Sequence, residues 1–376
     1  MKIAGMMALG LGLLFLAAAP LRAEEVVVAA QYPLSGPMAS YSGPFLKEGT
    51  EIAIQRINET KMLGEGRTLK VIIEDNGGDR NQAISLMNRF ATSDNALAVL
   101  GVYGSYLSLP TAPVANELKI PFLAIAASPA IVQAGPWSFI LIEQPDSSMK
   151  ILADFANDRL KVKTAALVFD RANDASVRLK DSFAKFFKEH GGAVVSEDGI
   201  SAQDTNFAPI ATKIASEKID VLYLESVPSV AGNFLVQVRQ AGLDPSVKLI
   251  ASGQVSSPVF RDIAGAAANG IQYPADYDAD MPGVENKYFV DAYRKRNHKD
   301  PDQNAAWAYT GMLLLAHAIH DAGPGADRAK VRDALAKLHN VDTALGDGKF
   351  SYDQDRMPDF KLIMLQVVNG KQELVK

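Results

Sequence analysis

The feature that most constrains this 376-residue chain is an alternation, run through twice, of short apolar segments with longer amphipathic ones. In the first run, residues 26–31, 69–74, 96–102 and 121–126 are of buried-strand type. Between them Ile52, Ile54 and Ile57 fall near one helical face, Asp79 is placed to cap a helix through Ala91, and a further helix is expected over 105–118. The second run has strands at 164–169, 193–200, 221–225 and 248–252, with helices at 176–190, 207–216 and 229–241. Near-continuous Val, Ile, Leu and Ala strands separated by helices bury both faces only in a parallel sheet. The expectation is an α/β chain of two doubly wound, Rossmann-like lobes, with ligands collecting at the carboxyl ends of the strands. After Ala275 the texture changes to helices at 284–296, 304–322 and 327–338. A strand-rich tail follows at 361–368, with a turn at Asn369 and Gly370.

Composition removes several functions. With no cysteine there is no disulfide, thiolate metal site or cysteine nucleophile. A net charge of −5 argues against a nucleic-acid partner. Residues 1–23 read as an export signal: Lys2, an apolar run over 3–19, then Leu21-Arg22-Ala23 ahead of Glu24 and Glu25. Cleavage is expected after Ala23. No cysteine follows for a lipid anchor, and no later run approaches spanning length. The expected location is the periplasm, as a monomer.

Catalytic and cofactor patterns are missing. There is no GxxxxGK[ST], and Gly101-Val102-Tyr103-Gly104 lacks the third glycine of a dinucleotide loop. Asp276, Asp278 and Asp280 open like a calcium loop, but Met281 stands at the sixth position and Lys287 at the twelfth. The segment reads as a solvated loop with Tyr277 free to face a cleft. His317 and His320 read as structural, and no GxSxG elbow occurs. No enzyme activity, metal or cofactor is expected.

One constellation stands out. Strand three ends in Val102-Tyr103-Gly104 and opens a helix at Ser105; strand four ends in Ala126-Ala127-Ser128. Small residues, backbone N–H groups and hydroxyls at adjacent strand ends make a pocket for a carboxylate. Tyr41, Tyr103 and Tyr106 could wall it with aromatic surface. The alternative is that Ser105 and Ser128 merely cap helices and the tyrosines pack.

At these residues the chain resembles the leucine/isoleucine/valine-binding family of periplasmic solute-binding proteins, which serve ABC importers. The pieces are Pro33-Leu34-Ser35-Gly36-Pro37 with Tyr41, Glu74-Asp75-Asn76, Gly101 with Ser105, Ile120-Pro121 opening into Ala126-Ala127-Ser128, Val238 to Leu243, and Tyr309. The resemblance implies that Ser105, Ala126 and Ser128 hold the ligand's carboxylate and that Tyr41 borders its side chain. It also implies a type I periplasmic binding fold with three crossovers, lobe one being 24–143 plus 277–341 and lobe two 144–276 plus 342–376. A membrane permease would be the partner. Lobe two departs from the pattern of amino-acid binders: Val227 and Gln254 stand near the family's tyrosine and glutamate, and no acid lies between Val247 and Phe260. An ammonium stripped of water needs a charge partner. Glu225, Asp276 or Asp278 would have to supply it, with Asn173 on the same rim. Otherwise the ligand is an aromatic or aliphatic acid without an amino group. A sensing module on the same fold is the competing function.

Overall fold

The computed structural model describes residues 24–36, 38–40, 42–201 and 203–375. The leader expected over 1–23 and the candidate Tyr41 lie outside the described residues.

The first lobe runs β1 (Glu24–Tyr32), α1 (Gly43–Glu59), β2 (Arg67–Asp75), α2 (Arg80–Thr92), β3 (Val99–Gly101), α3 (Ser105–Glu117), β4 (Phe122–Ala124), α4 (Pro129–Gln133) and β5 (Ser138–Ile140). The strands pair in parallel in the order β2-β1-β3-β4-β5. The second lobe runs α5 (Pro145–Asp158), β6 (Thr164–Asp170), α6 (Asp174–Glu189), β7 (Ala193–Ile200), α7 (Ala208–Ser216), β8 (Val221–Glu225), α8 (Pro228–Gln240), β9 (Lys248–Ala251), α9 (Pro258–Ala264) and β10 (Ile271–Ala275). Its parallel strands repeat the same order, β7-β6-β8-β9-β10. In this winding the strand order reverses between β1 and β3 in one lobe and between β6 and β8 in the other, and crevices open beyond the strand ends there.

The chain then returns to lobe one as α10 (Val284–Asn297), α11 (Gln303–Ala322) and α12 (Arg328–Leu335), followed by a small antiparallel sheet of β11 (Val341–Asp342), β12 (Lys349–Tyr352) and β13 (Pro358–Asp359). It ends in lobe two as a hairpin, β14 (Ile363–Val368) and β15 (Lys371–Leu374), added to β10. Each sheet is covered on both faces. In lobe one, α1, α10 and α11 pack on one side, and α2 and α3 on the other. In lobe two, α7, α8 and α9 cover one face, with α5 and α6 on the opposite one. Helix α11 is almost wholly buried and lies so close to α1 that a Cβ on Gly49 would come 2.0 Å from the Ala305 carbonyl oxygen. Asp79 caps α2 by accepting from the Gln82 N–H, as its position predicts.

Three differences from the sequence reading have physical causes. Strand β10, not marked there, contains Pro274, a residue that argues against a central strand. Helix α5, whose start at Gln144 carries no side-chain capping bond, opens at Pro145 and buries Met149, Leu152, Ala153 and Ala156. The third crossing comes later than the expected 341/342. Ala344, Leu345, Phe350, Tyr352, Phe360 and Leu362 complete the core of lobe one, and only from Ile363 does the chain pack in lobe two.

Candidate functional site

Beyond β3 the backbone is unusual. Gly101, Val102 and Gly104 all have positive φ, at 109°, 56° and 84°. For a β-branched residue this is a strained conformation, of the kind that clusters at ligand sites. Gly101 is required: a Cβ there would meet the Gln31 carbonyl oxygen at 2.5 Å. The buried Ser108 hydroxyl donates to the Val102 carbonyl at 2.6 Å, and Gly104 N–H donates to the Ile125 carbonyl at 2.9 Å. These bonds bring the start of α3 beside the 125–128 loop. Ser105 is the first residue of α3, whose N-cap is Gly104, and Ser128 is the N-cap of α4 but makes no side-chain capping hydrogen bond. Neither serine therefore caps its helix through its side chain. The Ser105 and Tyr106 N–H groups open α3 at the positive end of its dipole, while Leu107 and Ser108 N–H already donate to the Gly104 carbonyl at 3.3 and 3.1 Å. Ala126 is buried.

Asp75 organises the neighbouring loop. Its Oδ1 accepts from Leu34, Ser35 and Gly77 N–H at 2.9, 3.1 and 2.7 Å. Burial alone would raise its pKa, but the bonds from Ser35, Gly77 and Leu34 hold it below the ordinary range. Asp75 thus fixes the start of the β1–α1 connection, while Glu74 accepts from Arg89 of α2.

Among the tyrosines, Tyr103 leans against Trp307 of α11, with ring centroids 6.3 Å apart. Tyr106 is 58% exposed, and the Arg80 guanidinium covers its ring at 3.6 Å. Its ring thus stacks on the first residue of α2. Tyr277 does not face a cleft. It is buried in the core of lobe one, edge-on to Phe289 at 6.0 Å, because the chain has already crossed back by that residue.

In lobe two, Glu225 ends β8 at the switch point and is 3% exposed. Burial raises its carboxyl to about 7, against one hydrogen bond from Ser252. Its Oε2 has no partner among the described residues, nor has the buried hydroxyl of Ser226, the next residue in the chain. Asn173 is exposed and accepts from Ala175 N–H as the cap of α6. Val227 packs on the second core, and Gln254 is exposed in a 3-10 turn.

The crossing from β10 holds residues the sequence reading did not join. Asp276 is buried, and its two oxygens accept from Gln303 and from the Trp307 indole, the latter at 2.6 Å. Burial raises its carboxyl to about 6. Asp278 accepts from Asp280 N–H at 2.9 Å. Glu143, on the first crossing, is raised to about 7 by burial, with Asp359, Asp276 and Asp353 adding repulsion. The Asp276–Trp307 bond spans 31 residues, and no local pattern announces it.

Two lobes of like winding with polar strand ends at their switch points define a cleft-type binding protein. The chain belongs to the periplasmic binding protein family, whose pattern it matches over residues 25–372. It is 27% identical over 88% of its length to the Leu/Ile/Val-binding protein BraC3 of Rhizobium johnstonii, covering 89% of that protein. A putative branched-chain amino acid ABC transporter structure from Rhodospirillum rubrum superposes with a TM-score of 0.84 at 24% identity, over 93% of this chain and all of that one. An ABC-transporter solute binding protein from Rhodopseudomonas palustris BisB5, solved with 3,4-dihydroxybenzoic acid, gives a TM-score of 0.73 at 24% identity, over 93% and 96% of the two chains. These two structures establish the type I periplasmic binding fold. No helix among the described residues is long and apolar enough to cross a membrane.

Proposed function

We propose that this chain is the solute-capture component of an ABC importer, working in the periplasm after removal of residues 1–23. It takes a small carboxylate-bearing solute, an amino acid of the branched-chain kind, between its lobes and closes on it. The observation that carries this reading is the pair of serines at adjacent strand ends whose hydroxyls cap nothing. A carboxylate there accepts from Ser105 and Ser128 and lies at the N-terminus of α3. Ala126 forms the floor, and Tyr103 with Trp307 supplies aromatic surface from lobe one. The closed form would then dock, as a monomer, on a membrane permease. The naming of the Rhizobium relative supports the amino-acid class.

A second reading, an aromatic or aliphatic acid without an amino group, is favoured by one observation: no acid lies between Val247 and Phe260. The dihydroxybenzoate found in the Rhodopseudomonas protein shows that this fold accommodates such a ligand. The test is a thermal-shift screen of the mature chain pairing leucine with 4-methylpentanoate and phenylalanine with 3-phenylpropanoate, plus a benzoate series. A ligand at a hundred times its Kd adds about 2.7 kcal/mol. Absence of a shift with every carboxylate would sink the proposal.

A further inference from the structure

Three acids in the sequence were candidates to balance a ligand's ammonium, and the structure separates them. Asp276 spends both carboxylate oxygens on Gln303 and Trp307. Asp278 accepts from the backbone of Asp280 within its own loop. Glu225 keeps one buried oxygen without a partner among the described residues, and the hydroxyl of Ser226, the next residue in the chain, is likewise buried and unpartnered. It stands at the carboxyl end of β8, beside β6, where the strand order of lobe two reverses. The groups around it are Tyr223 on its own strand, Asp170 at the end of β6, Ser176 of α6 and Ser252 after β9. None of them is a cation, so nothing there balances a carboxylate. A buried acid in that position must hold a proton or meet a positive group from outside.

We infer that Glu225 selects the charge of the ligand, its carboxylate taking the ammonium of an amino acid while Ser226 supplies a second oxygen acceptor. The inference rests on the carboxylate site proposed for lobe one and names the opposite pole of the same ligand. It places the ammonium partner one strand away from the β9 loop, where the sequence lacks an acid. The proton that the free cleft holds on Glu225 passes to solvent when the ammonium arrives. Amino-acid capture then releases part of a proton near pH 7 and tightens as pH rises through neutrality. A ligand without the amino group needs the protonated acid as a donor and behaves in the opposite way.

The experiment is isothermal titration of the mature chain with leucine, 4-methylpentanoate, phenylalanine and 3-phenylpropanoate, in buffers of different ionisation enthalpy, for wild type and Glu225→Gln. The expected result is amino-acid binding with release of a fraction of a proton, lost in E225Q together with at least 100-fold in affinity. Because glutamine mimics the protonated acid, E225Q should fold normally and be no less stable at pH 7.5, which a merely structural role for the residue would not give. Capture of the des-amino acids alone, or amino-acid affinity unchanged in E225Q, overturns the inference and leaves the carboxylate site standing. Binding of none of the four, nor of the benzoates, overturns the carboxylate reading and this inference with it.

Discussion

Replacing both Ser105 and Ser128 by alanine should separate a binding site from a packing feature. A hydrogen bond to a charged group contributes about 1.5–3 kcal/mol, so losing two of them from a bound carboxylate costs roughly 3–6 kcal/mol. That is a loss of about 10²- to 10⁴-fold in affinity. Stability should hardly move. A serine that caps a helix costs about 1 kcal/mol when truncated, but neither of these caps its helix through its side chain. A substitution that touches no such feature stays within about 0.5 kcal/mol. Ser108 is the internal control: it is fully buried, and its hydroxyl holds the Val102 carbonyl at 2.6 Å. Ser108→Ala should therefore lower stability by about 1–3 kcal/mol by leaving a buried acceptor unpaired. The assay is urea unfolding of all three proteins alongside titration with whichever carboxylate gives the largest thermal shift. A double variant that binds within threefold of wild type, or unfolds more than about 1 kcal/mol more easily, would refute the assignment.

Other expectations follow from the same geometry. Gly101→Ala should destabilise lobe one by several kcal/mol and reduce binding, since its φ is positive and its Cβ would strike the Gln31 carbonyl; thermal unfolding with and without ligand tests both. Tyr309→Phe removes a 2.7 Å bond to Glu285, which also pairs with Arg56 at 2.7 Å, and should cost about 1.5–3 kcal/mol without changing the ligand Kd. Folding stability without ligand should decline between about pH 4.5 and 7. Glu225 and Glu143, raised to about 7, and Asp276, raised to about 6, hold protons that the unfolded chain gives up near 4.5 and 3.8. Their contribution is full below those unfolded values and is lost as pH climbs through the folded ones. Carboxylates held low, such as Asp75 and Asp220, act in the opposite sense only at more acidic pH. Urea titrations at pH 5 and 7.5 check the sign, and Glu225→Gln should flatten part of the slope.

What could be seen in the sequence followed from local causes. Residues 221–225 are apolar and β-prone up to a terminal acid, and they form β8. Asp79 three residues before Gln82 is a local cap, and it caps α2. Ser105 and Ser128 were placed at strand ends by short-range patterning, and the parallel register puts β3 and β4 side by side. What could not be seen depended on distant partners. Pro274 hides β10, which exists because Leu249 and Ile250 on one side and Ile363 to Gln366 on the other complete its pairing. Tyr277 sits just past a crossing, and partners distant in sequence, Phe289 among them, take its ring into the core of lobe one. The choice among Glu225, Asp276 and Asp278 was open in the sequence. Gln303 and Trp307, roughly thirty residues on, engage one of them.

The crossings themselves limit how the lobes can move. Ile142 is still bonded to Ala126 at 3.3 Å, and Pro145 already opens α5, so the first crossing has almost no slack. Asp276 is tied to lobe one three times, by Gln303, by Trp307 and by Gly346 N–H on its own carbonyl at 2.7 Å. The second crossing is therefore confined to the step from Ala275 to Asp276. Ala275 in turn pairs with Ile363, the first residue of lobe two after the third crossing. Two of the three connections are thus laced together where they enter lobe two, and the remaining one is short. Such a joint would favour hinge rotation over sliding in the closure proposed above. Such a rotation would move the β8 terminus relative to the β3 and β4 termini. Closure of this kind, as proposed above, would bring the unpartnered acid of one lobe toward the uncapped hydroxyls of the other.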